Sequence, residues 1–245
     1  MSVPPVVLLA PSEDKAPGGV PGRLAETPAQ RWVREGLGAL AKTGTPEALR
    51  KAFDVKDLAL DKARAEALAL QKLGRGGEVP LLPALGRYTG VAFQALDAAT
   101  LPPEAWCRVF ILSSLRGLVR GDEPVPPYKL NLAALPGLKA HWRKALPPLL
   151  ENLPEGPVWE LLPGDAAGLL KGWDRPRHTV EILGKRGQAL SHFAKKYRGL
   201  VARWILAHGQ GDPRKVLKGR IPGCQWVGVD ENDRGGVALR LVVEP

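Results

Sequence analysis

Short β-branched, apolar runs at both ends of the chain constrain its fold more than any other feature. Val6 to Leu9 lies near the start, Val109-Phe110-Ile111-Leu112 near the middle, and Val237 to Val243 near the end. Runs of this length, bounded by proline, glycine or polar turns, read as strands rather than helices. Val158 to Leu162, His178 to Leu183 and Gln225 to Val229 are three more of the same kind, and Val79 to Leu85 is an extended segment. Strands drawn from both ends are accommodated in one mixed β-sheet wrapped by helices. The expectation is one compact domain over residues 1–245, in the α/β or α+β class. The last of these runs predicts a C-terminal β-hairpin: Trp226 to Asp230, a turn through Asn232 to Gly236, then Val237 to Val243.

Helix signals fill the intervals. Thr27 followed by Pro28 is an N-cap with proline at the first helical position, and predicts a helix to Ala41. Thr45-Pro46-Glu47 repeats that start. Asp57 to Leu73 is rich in Ala, Leu, Lys and Glu, and predicts a helix ended by Gly74. Pro103 opens a short helix, and Leu138 to Leu150 forms a longer one. Beyond Lys195, Leu200, Val201, Trp204, Ile205 and His208 share one helical stripe. With 245 residues and 44% hydrophobic content the chain can bury a substantial core.

The two cysteines, Cys107 and Cys224, lack CxxC or Cys-His spacing, which argues for a reducing compartment and against a disulfide framework or zinc site. Val3 to Ala10 is cut by prolines and is too short to span a bilayer. A cytoplasmic protein without membrane attachment is expected. The four histidines are scattered, with no HExxH, GxSxG or Walker pattern, so no metal or cofactor is called for and no enzyme class announces itself.

Charge is the functional signal. Lys plus Arg number 35 against 25 for Asp plus Glu, giving a net charge of +10. Such a surplus favours polyanions, nucleic acid first. It is concentrated in Ser191-His192-Phe193-Ala194-Lys195-Lys196-Tyr197-Arg198, continuing to Arg203, where cations sit beside aromatic rings. Cations neutralise phosphates and rings stack on exposed bases, although core tryptophans under a solvated charged face give the same letters. Lys15, in the polar loop after the first strand, sits where sheet proteins often place ligands. Leu135-Pro136-Gly137-Leu138-Lys139 and Leu112 to Leu118 each approach the hydrophobic-Gly-hydrophobic turn of a helix-hairpin-helix. Lys139 stands where the second glycine of that turn belongs.

Taken in order, several stretches resemble the YaaA family of bacterial peroxide-stress proteins. They are Leu8 to Lys15, Tyr88-Thr89-Gly90, Leu112 to Arg120, Pro127-Tyr128-Lys129-Leu130, Ser191 to Gly199 and the terminal hairpin. Pro11-Ser12-Glu13 with Lys15 and the later Gly18-Gly19 resembles the branch from actinobacteria and their relatives more than the enterobacterial one. Two departures stand out: Arg116-Gly117 replaces a common Tyr-Gly, and Pro163 to Ala167 replaces a Ser-x-x-Tyr type segment. The resemblance implies an α/β fold with a positively charged cleft, a helix-hairpin-helix-like element, binding to duplex or distorted DNA, and protection from peroxide and iron-driven DNA damage. DNA is then the expected partner, with no obligate protein partner evident.

On that basis Lys195, Lys196, Arg198 and Arg203 are expected phosphate contacts. Arg116, Lys129 and Lys15 are expected to line the same cleft, with Tyr88 or Tyr128 stacking on a displaced base. A rival reading is an enzyme acting on a nucleobase or DNA lesion. In it Ser12, Glu13, Lys15, Tyr128, Lys129 and Lys195 converge in one pocket, and Lys15 or Lys195 serves as nucleophile or general acid. A third, ferrous-iron sequestration, finds no ligand cluster in the sequence.

Overall fold

The first strand, β1 (Val6–Leu9), is buried along its whole length because it lies inside a sheet covered on both faces. The computed structural model of the protein describes residues 3–188, 190 and 193–243; Ser191 and His192 of the cation-rich segment lie outside them. After β1 the chain forms a short strand, β2 (Val20–Gly22), and three helices: α1 (Pro28–Thr43), α2 (Pro46–Phe53) and α3 (Asp57–Ala69). Thr27 caps α1 as a capping box with Gln30, and Thr45 caps α2 through the Ala48 amide. Both caps lie where the sequence puts them.

Strand β3 (Val79–Pro83) leads into two short helices, α4 (Ala84–Arg87) and α5 (Val91–Leu96), and then α6 (Pro103–Trp106). Next come β4 (Val109–Ser113), β5 (Gly117–Arg120) and β6 (Pro124–Val125). The pair α7 (Leu138–Ala145) and α8 (Pro147–Glu151) precedes β7 (Val158–Leu161), α9 (Gly164–Ala167) and β8 (Arg177–Leu183). The chain closes with α10 (Ala194–Ala207), α11 (Pro213–Val216) and the predicted hairpin, β9 (Cys224–Glu231) and β10 (Val237–Val243).

Seven strands form one mixed sheet in the order β5-β4-β1-β7-β8-β10-β9, and β2-β3-β6 form a small second sheet. Strand β1 pairs in parallel with both β4 and β7, so Leu8 lies between Phe110 and Glu160. The two outer pairs, β4 with β5 and β9 with β10, are antiparallel. Among the described residues no helix is long and apolar enough to cross a membrane.

The structure corrects four local expectations. The helix from Asp57 ends at Ala69 and tightens into a 3-10 turn (Leu70–Arg75), closed by Gly76 in the left-handed region at φ +70° rather than by Gly74. Gly74 instead lets the Arg34 guanidinium pass, since a Cβ there would fall 2.6 Å from Nη2. Leu138 to Leu150 divides at Pro147, whose ring nitrogen has no hydrogen to donate. Neither helix-hairpin-helix candidate is one. Residues 126–136 are loop and turn, so Gly137 starts α7 with no helix before it, and Leu112 to Leu118 is the β4–β5 hairpin.

The fourth correction is the face of α10. Tyr197, Val201, Ala202, Ile205 and Leu206 are buried, while Leu200 and Trp204 are half-buried and His208 is exposed. The rotation follows from Gly199, which meets α5 so closely that a Cβ would lie 2.1 Å from the Ala92 carbonyl oxygen. Gly199→Ala must push the two helices apart and should lower stability by about 1–3 kcal/mol. Urea unfolding checks this, and an unchanged midpoint would refute the close approach.

Candidate functional site: a lysine-lined recess at the strand ends

Parallel strands β4, β1 and β7 all deliver their carboxyl ends to one side of the sheet. The chain leaves β1 toward β4 on one side and later returns to β7 on the other, so the crevice above β1 is a topological switch point. A recess of about 420 Å³ occupies it, lined by the loop after β1, by Ser114 after β4, by residues 128–133, and by Pro163 to Ala166 after β7. This is within the range of ~300–1,000 Å³ of small-molecule sites.

Lys15 is the residue the surroundings treat most unusually. Its backbone bridges to Tyr88, the Ala16 amide donates to the Arg87 carbonyl at 2.8 Å, and the Thr89 amide donates to the Asp14 carbonyl at 3.1 Å. Arg87 is wholly buried and donates to the carbonyls of Val125, Ala16, Gly18 and Pro80. It thereby fastens the residues after Lys15 to the small sheet. Gly90 is needed beside this loop, because a Cβ would fall 2.6 Å from that of Ser12.

Held there, the Lys15 ammonium donates to the Ser12 carbonyl at 2.9 Å and lies 4.1 Å from the Tyr128 ring centre and 5.3 Å from that of Tyr88. Burial disfavours its charge, and the nearby Lys129 adds like-charge repulsion. Glu66, Asp14 and Glu13 oppose the shift only in part, leaving Lys15 lowered from 10.5 to about 7. Lys15 therefore gives up its proton far more readily than an ordinary lysine.

Tyr88 and Tyr128 form the base of the site, each 1% exposed. Their hydroxyls are 2.9 Å apart; Tyr128 is also 2.9 Å from Ser113 Oγ, which accepts the Arg116 amide at 3.1 Å. Burial raises both phenols, so they stay protonated. Tyr128 lines the recess and Tyr88 packs behind it against Phe93. Stacking on a displaced base, expected of these rings, is corrected: a stacking platform needs an open face, and both rings are inside the protein.

Of the six residues expected to converge, Ser12, Glu13, Lys15, Tyr128 and Lys129 do line the recess. Lys195 does not. Lys129 donates to the Glu13 carbonyl at 2.8 Å and lies 3.9 Å from an Asp14 carboxylate oxygen. Lys139, which sequence reasoning met only as a mismatched glycine, lines the recess and lies 3.8 Å from Asp165. Arg116 points elsewhere: its Nη1 donates to the Ala25 carbonyl at 3.3 Å, near the start of α1.

On α10, Lys195 and Lys196 are exposed, while Arg198 is half-buried and lowered by desolvation. Arg203 holds the carboxyl end of α5. Its Nη1 donates to the Leu96 and Asp97 carbonyls and to Thr100 Oγ1, and it pairs with the Asp97 carboxylate at 3.4 Å. Gly199 packs on Ala92 and Arg203 on Leu96, so α10 and α5 run side by side in the same direction. The first turn of α10 thus lies toward the amino end of α5, whose cap Gly90 meets Ser12.

Sequence reasoning missed a second basic segment. Arg214, Lys215, Lys218 and Arg220 are all exposed and form no ion pair among the described residues. They follow α10 closely, with Trp204 against Gly219 and the Tyr197 hydroxyl donating to the Gly223 carbonyl at 3.5 Å. The signal in the sequence was the Pro213-Arg214-Lys215 start after Asp212, which caps α11 through the Arg214 amide.

Because the folded protein binds the Lys15 proton less tightly than the unfolded chain, its stability should rise between about pH 7 and 10.5 on account of this residue alone. Lys15→Met removes the titration. The stability of the variant relative to wild type should accordingly be greater at pH 6 than at pH 9, as measured by urea melts. A pH-independent difference would mean that Lys15 keeps an ordinary proton affinity.

Comparison with known proteins agrees with the resemblance read from the sequence. The family described as Peroxide stress protein YaaA matches residues 6–226. A UPF0246 protein of Corynebacterium glutamicum is 30% identical over 97% of this chain and 100% of its own length. Its counterpart in strain R of that species is 32% identical with the same coverage, and a UPF0246 protein of Corynebacterium efficiens is 34% identical over 81% of this chain and 83% of its own length. These relatives support the actinobacterial-like branch, and the family assignment supports a role in the peroxide-stress response. The chain belongs to the YaaA family of peroxide stress proteins.

Proposed function

We propose that the protein acts in the peroxide-stress response by binding DNA, duplex or distorted, through its phosphates. What supports this most is the set of exposed cations without acidic partners among the described residues, on two adjacent elements: Lys195 and Lys196 on α10, and Arg214, Lys215, Lys218 and Arg220 beside it. Phosphate contacts of this kind fix position without reading sequence, and distorted duplex adds affinity through shape. The basic cleft, in this account, runs from these cations toward the recess, where Lys15, Lys129 and Lys139 are set against Glu13, Asp54 and Asp165. That balance makes the recess a poor general phosphate groove and suits it to one displaced nucleotide.

A second reading is favoured by Lys15 itself. An amine with a lowered proton affinity, facing the recess, suits an enzyme that acts on a nucleobase or DNA lesion with Lys15 as nucleophile or general acid.

Electrostatic binding has a measurable signature. The logarithm of the affinity should fall linearly with the logarithm of salt, with a slope of about −0.9 for each phosphate neutralised. Fluorescence anisotropy with a labelled duplex between about 50 and 200 mM salt reads it. Replacing Lys195 and Lys196 together by Ala should weaken binding uniformly across sequences and flatten the slope by about 2. A slope near zero in the wild type would remove the proposal.

A further inference from the structure

We propose that the recess captures an aldehyde, that of a ring-opened sugar at an abasic position in DNA, as an imine on Lys15. This rests on the second reading above, lysine chemistry in the recess, and gives it a substrate class. Three features of the geometry point to a carbonyl electrophile. The Lys15 amine faces the recess, and among the described residues no carboxylate or histidine is bonded to it; it donates to the carbonyls of Ser12 and Glu13. An amine that is already neutral needs no base to attack a carbonyl.

The second feature is the surroundings of the product. An iminium nitrogen at the position of Lys15 Nζ keeps a positive charge 4.1 Å from the Tyr128 ring centre and 5.3 Å from that of Tyr88. Aromatic faces favour such a cation where water is excluded. The third is Lys129, which shares the same wall and supplies a proton donor, while Lys139 at the rim can take a flanking phosphate from its 3.8 Å contact with Asp165. The buried phenols of Tyr88 and Tyr128 hold their protons and do not compete as nucleophiles.

The step balances without an oxidant or reductant. The Lys15 nitrogen lone pair forms a bond to the carbonyl carbon, and the C=O π pair moves to oxygen, which takes a proton from the Lys129 ammonium. The added nitrogen returns a proton to Lys129, giving the neutral carbinolamine. The hydroxyl then leaves as water with a second proton, and the nitrogen lone pair closes the C=N bond. Overall, one neutral amine, one aldehyde and one proton give one iminium and one water.

The test uses the whole protein and a duplex oligonucleotide with a single natural abasic site, with sodium borohydride present to deliver hydride to the imine carbon. Peptide mapping by mass spectrometry locates the resulting secondary amine. The expected result is an adduct on Lys15, formed several-fold faster at pH 8 than at pH 6 and absent from Lys15→Arg. In parallel, acetic anhydride labelling of the wild type reads the nucleophilicity of each lysine. Lys15 that acylates with a midpoint near pH 7 but forms no adduct overturns the aldehyde assignment and leaves the lysine reading standing. Lys15 inert to both reagents overturns both. Adducts confined to exposed lysines such as Lys195 also overturn the assignment. Because the mapping is done on wild-type protein, the result does not depend on the variant folding.

Discussion

Removing an ammonium from water costs several kcal/mol unless other groups replace the lost hydration, and the architecture around the recess answers that cost at Lys15. The replacements are the Ser12 carbonyl and the faces of Tyr128 and Tyr88. None of them would be in place without a rigid loop. The loop is held because Arg87, itself buried with no carboxylate in contact among the described residues, donates its guanidinium hydrogens to carbonyls from both the loop and the small sheet. One buried cation thus holds the backbone that presents another. The compensation at Lys15 is partial, and the remainder appears as its lowered proton affinity.

The sheet supplies the position and the ion pairs hold its far half. Glu160, on β7 at the centre of the seven-stranded sheet, is 3% exposed and accepts from Arg177 Nε at 3.0 Å and from Arg234 in the hairpin turn. This triad joins β7, β8 and the β9–β10 turn below the strand ends. Removing one member would leave buried charge uncompensated, the costly way to lose an ion pair. The carboxyl end of β7, from which Pro163 to Ala166 close the recess, is therefore fixed by charge on one side and by parallel pairing with β1 on the other.

What the sequence revealed was whatever depends on local chemistry. Thr27 and Thr45 announce their helices because capping needs only a hydroxyl three residues before an amide. The strands were legible because β1 and β4, buried on both faces, are apolar without alternation. Glu160 inside such a strand was readable only as an oddity, since its partners Arg177 and Arg234 are 17 and 74 residues away. The same distance hid the fates of Arg203 and Tyr128. A cation beside an aromatic looks alike whether it meets a phosphate or a helix terminus, and Tyr128 is buried by Tyr88 and Ser113, 40 and 15 residues away. The face of α10 was misplaced because Gly199 counts as featureless in a hydrophobic pattern, although the closeness of α5 depends on it.

The positive charge of this protein divides into two populations with different physics. In the recess, three lysines share the walls with three carboxylates, and two of those lysines already have an acid within 4 Å. Little net attraction for a distant polyanion can arise there, but strong local fields can at the buried Lys15 amine. Lys195 and Lys196 on α10 and the cations of residues 214–220 are exposed and unpaired among the described residues, so each is screened, weak and additive. Long-range capture therefore belongs to the exposed set, and discrimination belongs to the recess. A ligand drawn in by the first reaches the second only if part of it leaves the duplex stack. Preference for distorted DNA then follows from the price of opening the helix, with no base-specific contact required.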